Sequence, residues 1–187
     1  MTKDINKHTF DEATKLKLTI FGECFKEWLP VFLSKRTFKG IALYDFFAGP
    51  GRDIKGEKGS PLIIIDEIKA YLDNPATPKA QGVKINLYFN DDENSKYRGL
   101  KREIEKEGIS GIFKIVTDNK DFTAAYKDKL PAIEAADTAN LVILDQSGIK
   151  HITQDVFKKL MTCRATDILF FISSATIKRF VGENCID

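Results

Sequence analysis

Cysteine is scarce and badly placed for structural use. Cys24, Cys163 and Cys185 are odd in number, far apart and without C-x-x-C spacing, which supports neither a disulfide framework nor a zinc site. His8 and His151 are the only histidines and stand alone; each reads as a surface residue, and no metal-ligating set is expected. No apolar run approaches the roughly 20 residues of a membrane span, and Met1 to Lys7 lacks the apolar core of a signal peptide. The expectation is a cytoplasmic protein that does not engage membranes. Neither G-x-x-x-x-G-K-[ST] nor G-x-S-x-G occurs, so a P-loop and a nucleophile elbow are excluded. Charge of one sign is not in excess either, the formal net charge being +2. That gives no general case for nucleic acid. Lys35, Arg36 and Lys39, with Lys55 and Lys58, could still form a local basic patch, the alternative being an ordinary solvated surface.

What is present suits one soluble domain over residues 1–187. With 43% hydrophobic and 30% charged residues, such a chain can bury roughly 70% of its unfolded surface. Phe10 to Leu33 spaces Leu16, Ile20, Phe21, Cys24, Phe25, Trp28, Leu29 and Phe32 as an amphipathic helix, which Pro30 should kink or end. The core, residues 41–187, alternates strands and helices. Strands are predicted over Ile41 to Phe47, Val83 to Phe89, Ile112 to Val116, Leu141 to Leu144 and Ile168 to Ile172. Helices are predicted from Ser60, from Tyr97 through the polar run to Gly108, around Phe122 to Ile133 and from Thr153 through Leu160. Ser60 is read as an N-cap followed by Pro61. Alternation of this kind is the signature of a parallel sheet with right-handed crossovers.

The chemistry concentrates where strands stop. Tyr44-Asp45-Phe46-Phe47-Ala48-Gly49-Pro50-Gly51-Arg52 is an apolar strand ending on an acid and breaking into a glycine turn. Gly49 and Gly51 lack the Cβ atoms that would hold a ligand off the backbone. Three later strands also end on acids, at Asp91-Asp92, Asp118-Asn119 and Asp145. Open α/β sheets bind ligands at this carboxyl edge. The alternative is an ordinary turn, with Asp91, Asp92 and Asp118 capping the helices that follow.

An NAD-type fingerprint needs a third glycine and an acid roughly 20 residues on. Ile54 stands at the third position and Asp91 lies much further along. The late helix at Ser60 also argues against a pyrophosphate, which wants a helix N-terminus directly behind the glycines. S-adenosyl-L-methionine fits better: Asp91 can accept from the ribose hydroxyls and Asp118 from the adenine amine. Arg52 to Gly59, charged and without apolar period, would then be a mobile lid.

The Tyr44–Arg52 stretch, the Gly59-Ser60-Pro61-Leu62 helix start and Leu144-Asp145-Gln146-Ser147-Gly148-Ile149-Lys150 resemble the three-Cys-motif partner (TcmP) family. Thr14-Lys15-Leu16-Lys17-Leu18 and Trp28-Leu29-Pro30 resemble that family's opening helix. More widely, the chain is similar to class I S-adenosylmethionine-dependent methyltransferases. The resemblance implies a Rossmann-like three-layer α/β/α sandwich with a mostly parallel sheet in the order 3-2-1-4-5. It implies a donor site formed by Asp45, Phe47, Ala48, Gly49, Pro50, Gly51, Asp91, Asp92, Asp118 and Asn119. Asp145 would lie at the acceptor as the catalytic candidate, with Gln146, Ser147 and Gly148 toward the substrate. Nucleic-acid amino methyltransferases carry Asp-Pro-Pro-aromatic at that place. Gln146-Ser147 departs from it, which leaves the acceptor open. The family's sheet continues past a fifth strand, whereas only Ala175 to Asp187 follows here, so the last strands are expected to be missing through truncation or shortening. The partner implied is a three-Cys-motif protein, and nucleic acid is a further candidate. The functions in view are a methyltransferase and, alternatively, a non-catalytic S-adenosylmethionine- or nucleic-acid-binding module acting with that partner.

Overall fold

A computed structural model describes residues 9–34, 37–78, 82–108, 113–145 and 152–171. In chain order these form α1 (Glu12–Leu33), β1 (Gly40–Asp45), α2 (Ser60–Asp73), β2 (Lys84–Asn90), α3 (Asn94–Lys106), β3 (Phe113–Asp118), α4 (Phe122–Ile133), β4 (Thr138–Leu144), α5 (Gln154–Thr162) and β5 (Thr166–Phe170). All strand pairs are parallel and the order is β3-β2-β1-β4-β5. This is the expected α/β architecture of the Rossmann-like class.

Strand parity divides the core into two layers. Ile41, Leu43, Ile85, Leu87, Phe89, Leu141 and Ile143 face one way, against Phe21, Phe25 and Leu29 of α1, the isoleucines of α2 and Leu100 of α3. Ala42, Tyr44, Tyr88, Val142 and Leu144 face the other, against Phe122, Ala125, Tyr126 and Ile133 of α4 and Leu160 of α5. Of the described helices, three therefore cover one face of the sheet and two the other.

Local chemistry moves several boundaries. The Asp11 carboxylate accepts from Thr14 N–H at 2.8 Å and caps α1 there. Pro30 does not end this helix, which continues to Leu33 and closes with Ser34 N–H on Pro30 O at 3.1 Å. A proline in the last turn removes one hydrogen bond without blocking the residues after it. The buried stripe of α1 is Phe21, Phe25, Leu29 and Leu33, whereas Leu16 (62% exposed), Ile20 and Cys24 lie outside it. Trp28 is half-buried and its indole N–H donates to Asp167 Oδ2 at 2.8 Å.

Residues 52–59 form a closed hairpin. Asp53 N–H donates to Glu57 O, and Arg52 bridges Lys58 across it. The buried Asp53 carboxylate accepts from Lys55 and Glu57 N–H at 2.8 and 2.9 Å and from Phe10 N–H at 2.9 Å. It therefore ties the hairpin to the start of α1. Burial pushes the Asp53 carboxyl up, but these backbone donors outweigh it and its pKa lies below the ordinary value. Asp53→Ala is expected to lose about 2 kcal/mol in urea unfolding at neutral pH. Because the folded group is the stronger acid, its contribution is present above the ordinary carboxylate value and is lost on acidification below about pH 4, where variant and parent should converge.

Candidate functional site

All four strand-terminal acids reach the carboxyl edge: Asp45 and Asp118 end β1 and β3, and Asp91 and Asp145 directly follow β2 and β4. None of Asp91, Asp92 and Asp118 caps a helix, since Glu93 and Asp121 hold the N-cap positions of α3 and α4. The four carboxylates nevertheless do different things.

Asp45 is 2% exposed, and among the described residues its hydrogen-bond partners are neutral donors. Ser60 Oγ–H donates to Oδ2 at 2.7 Å and Phe47 N–H to Oδ1 at 3.1 Å. Ser60 is thus the first residue of α2 and a partner of Asp45, while Gly59 holds the cap position. Burial pushes the Asp45 carboxyl up to about 6; the Ser60 and Phe47 donors oppose that, the Asp145 charge adds to it and the Lys17 charge opposes it. Nothing in the sequence singles out Lys17 for this place. It reaches down from α1, and its Nζ donates to Asp145 Oδ2 at 2.8 Å. Lys17, Asp45, Phe47, Ser60, Asp145 and Phe171 surround a cavity of about 30 Å³ between α1 and the ends of β1 and β4. That is space for about one water. Lys17→Met should remove about 1–2 kcal/mol of stability from this partly buried pair and push the Asp45 carboxyl higher still. A titration of stability against pH would show the second effect as an upward shift of the Asp45-linked change.

The glycine turn is held open by its own backbone. Gly49 (φ +67°) and Gly51 (φ +84°) both occupy the left-handed region. A Cβ on Gly51 would lie 3.3 Å from Glu103 on α3, whereas one on Gly49 would meet nothing within 4 Å. Gly99 lets α3 close on Pro50, whose carbonyl oxygen lies 3.2 Å from where a Cβ would stand. Gly59 N–H donates to Gly51 O at 2.8 Å. That hydrogen bond pinches off the 52–59 hairpin and delivers the N-terminus of α2 directly behind the glycines. The late helix start thus gives no spatial reason against a phosphate. Electrostatics supplies one: the end of α2 that would attract an anion already faces the Asp45 carboxylate.

Asp91 supports the turn from β2. Its buried carboxylate accepts from Gly49 N–H and from Glu93 N–H, both at 3.0 Å. Burial raises its pKa against these donors and the Lys96 charge, with Asp92 adding to the rise. Each oxygen retains a lone pair for a ligand hydroxyl. Asp92 is exposed. Asn90, which in the sequence looks like no more than a strand end, is the central staple and is fully buried. Its Nδ2 donates to Lys120 O at 2.9 Å and Phe46 O at 3.3 Å, its Oδ1 accepts from Lys120 N–H at 3.0 Å, and its carbonyl accepts from Ala48 N–H at 2.9 Å. Asn119 supports the same turn by donating from Nδ2 to Asp91 O at 2.7 Å.

Asp118 is drawn elsewhere. It shares strand parity with Val116 and sits on the α4 face, where Tyr88 Oη–H donates to it at 3.1 Å and Lys120 and Lys129 lie at 3.2 and 4.0 Å. Its backbone carbonyl accepts from Asp91 N–H at 3.3 Å, but its carboxylate is held by Tyr88 and these lysines. Phe47 stacks on Phe122, with ring centroids 5.3 Å apart. Gln146, Ser147 and Gly148 lie outside the described residues, as do Lys35 and Arg36. The remaining basic residues do not form one patch: Lys39 precedes the amino end of β1 and pairs with Asp137, while Lys55 and Lys58 sit on the hairpin beyond its carboxyl end, Lys58 pairing with Asp66. No helix among the described residues is long and apolar enough to cross a membrane. No protein-family model matches the chain, and none of the curated proteins matches it in sequence.

Proposed function

We propose that the carboxyl edge of the sheet binds S-adenosyl-L-methionine and that the protein is a methyltransferase whose acceptor meets the donor near Asp145. One observation carries this: a buried Asp45 carboxylate without an ion-paired cation among the described residues, beside the open, left-handed Gly49. Above about pH 6 Asp45 is negatively charged, while Lys17, whose charge acts on it, is engaged by Asp145. The donor carries an ammonium and a sulfonium against one carboxylate, so its net charge is complementary. An ammonium can take the place of water at Asp45, the amino-acid portion can lie over Gly49, and the ribose hydroxyls can reach Asp91.

When bound, the donor supplies an activated methyl group. The protein's task is then mainly to position donor and acceptor in line. Asp91 fixes the direction of Gly49 N–H, Asn90 and Asn119 hold Asp91 in register, and Lys17 orients Asp145 toward the acceptor side. Asp118, with its present partners, would have to turn from Tyr88 and Lys120 to reach an adenine amine. Its role in the donor site is therefore secondary to that of Asp91. A three-Cys-motif partner would contribute to acceptor recognition.

A second reading, a donor-binding module that does not transfer, is favoured by the Lys17–Asp145 pair, which leaves only about 30 Å³ on the acceptor side. Lys17→Met separates the two, because it opens this side without touching Gly49 or Asp91. Calorimetry with S-adenosylhomocysteine tests the shared claim. The parent should release heat, and Gly49→Val should bind at least about tenfold more weakly, since a branched side chain fills the open space and strains a left-handed residue by about 1–2 kcal/mol. Absence of heat with folded parent protein would remove both readings.

A further inference from the structure

At the amino edge of the sheet, on the face that α4 and α5 cover among the described residues, β2 and β3 carry exposed polar side chains. Lys84 and Asn86 of β2 point to that face, two residues apart, and the register sets Lys114 of β3 beside Asn86. All three side chains are exposed. One step further along, Tyr88 and Val116 already pack with α4 and its neighbours. Parallel sheets between helices are usually apolar on both faces, so two lysines and an amide on adjacent strands are not explained by packing. None of the three has a side-chain hydrogen bond or an ion pair among the described residues. Beside them lies a cavity of about 460 Å³ lined by Phe38, Lys39, Lys84, Asn86, Asp137 and Thr138. Gly40 keeps its floor low: a Cβ there would lie 2.8 Å from Lys84 O. Lys39 and Asp137 pair at 3.1 Å and cancel, so among the described residues Lys84 in the groove and Lys114 beside it on β3 each carry a positive charge without an ion-paired acid.

We propose that this groove binds the phosphate backbone of a single-stranded nucleic acid. Two free ammonium groups and a free amide on a rigid sheet offer donors to consecutive phosphate oxygens, and Phe38, whose ring packs against Phe32 of α1 at 5.8 Å, leaves part of its surface at the groove wall for a base to lie against. Basic grooves with aromatic walls bind single strands in this way without reading their sequence. The groove opens at the other end of β1 from Asp45, its Gly40 and Asn86 standing five and three residues away in register, about 17 and 10 Å at roughly 3.3 Å per residue. It therefore neither competes with nor depends on a ligand at the carboxyl edge.

Fluorescence anisotropy with a labelled oligothymidylate of about 16 nucleotides tests the proposal. The full chain should bind it and lose affinity as salt rises. The double variant Lys84→Glu/Lys114→Glu should bind at least about tenfold more weakly, with the log–log salt slope reduced by about 1.4, or about 0.7 for each phosphate no longer neutralised. Asn86→Asp, which puts a negative charge on the groove floor, should act in the same direction. Melting temperature and S-adenosylhomocysteine heat should be unchanged in both variants. Inorganic phosphate, matched in total phosphate, should fail to displace the oligonucleotide. Absence of binding by the parent at low salt, parental affinity in folded variants, or displacement by phosphate alone would each overturn the proposal, the last in favour of a small-anion site.

Discussion

Asp45→Asn is expected to be more stable than the parent at neutral pH, by about 1–3 kcal/mol, and to lose the donor. The carboxyl is buried and titrates near 6 instead of 3.8. Between those values the native state holds a proton that the unfolded chain has released, so stability falls as pH rises through the window. Above it the ionised group continues to weigh against folding. An asparagine removes that penalty and keeps the geometry. Its carbonyl can accept from Phe47 N–H, and its amide can donate to Ser60 Oγ, because a hydroxyl turns to either role. Urea unfolding across the acid range should show the advantage of the variant closing as pH falls from about 7 through 6 toward 4. The same change removes the charge that attracts an ammonium. A site that lowers stability for the sake of binding is a common compromise.

Asn90→Ala should produce the largest loss, about 3–5 kcal/mol. Its amide joins the end of β1, through Phe46, to the segment after β3, through Lys120. Removing it takes the partner from the buried Phe46 carbonyl and from the partly buried Lys120 carbonyl and N–H, and leaves a cavity under the glycine turn. Asn90→Asp is the informative companion. It fills the same space but aims a carboxylate oxygen at two carbonyl oxygens, next to Asp91. If hydrogen bonding rather than volume dominates, the denaturation midpoint of Asn90→Asp should fall at least as far as that of Asn90→Ala.

The framework was legible in the sequence because both faces of the inner strands are buried. Leu141 to Leu144 can only be apolar in such a place, and acids then stand out where burial ends. Parity along β3 carries a further signal: Lys114, Val116 and Asp118 share a face, which puts Asp118 with Tyr88 on the α4 side. Other features are invisible in the sequence because they join residues far apart in the chain. Ser60-Pro61 has the form of a cap and first turn, but an acid fifteen residues earlier takes the hydroxyl. Lys17 belongs to the polar pattern of α1, and its partner is 128 residues away. The 52–59 hairpin has no apolar period because one carboxylate, Asp53, gathers its backbone N–H groups. The exposed Leu16 and Ile20 fit helical spacing as well as the buried Phe21 and Phe25 do, and only the position of the sheet separates them.

A donor bound at Asp45 and Gly49 is the central claim. Isothermal titration of S-adenosyl-L-methionine into the parent and into Asp45→Asn tests it most directly, because the variant is the more stable protein and a lost signal cannot be assigned to unfolding. Heat of binding with the parent, and binding at least about tenfold weaker with Asp45→Asn, is the predicted result. Equal binding by both proteins, or none by the parent, would contradict it.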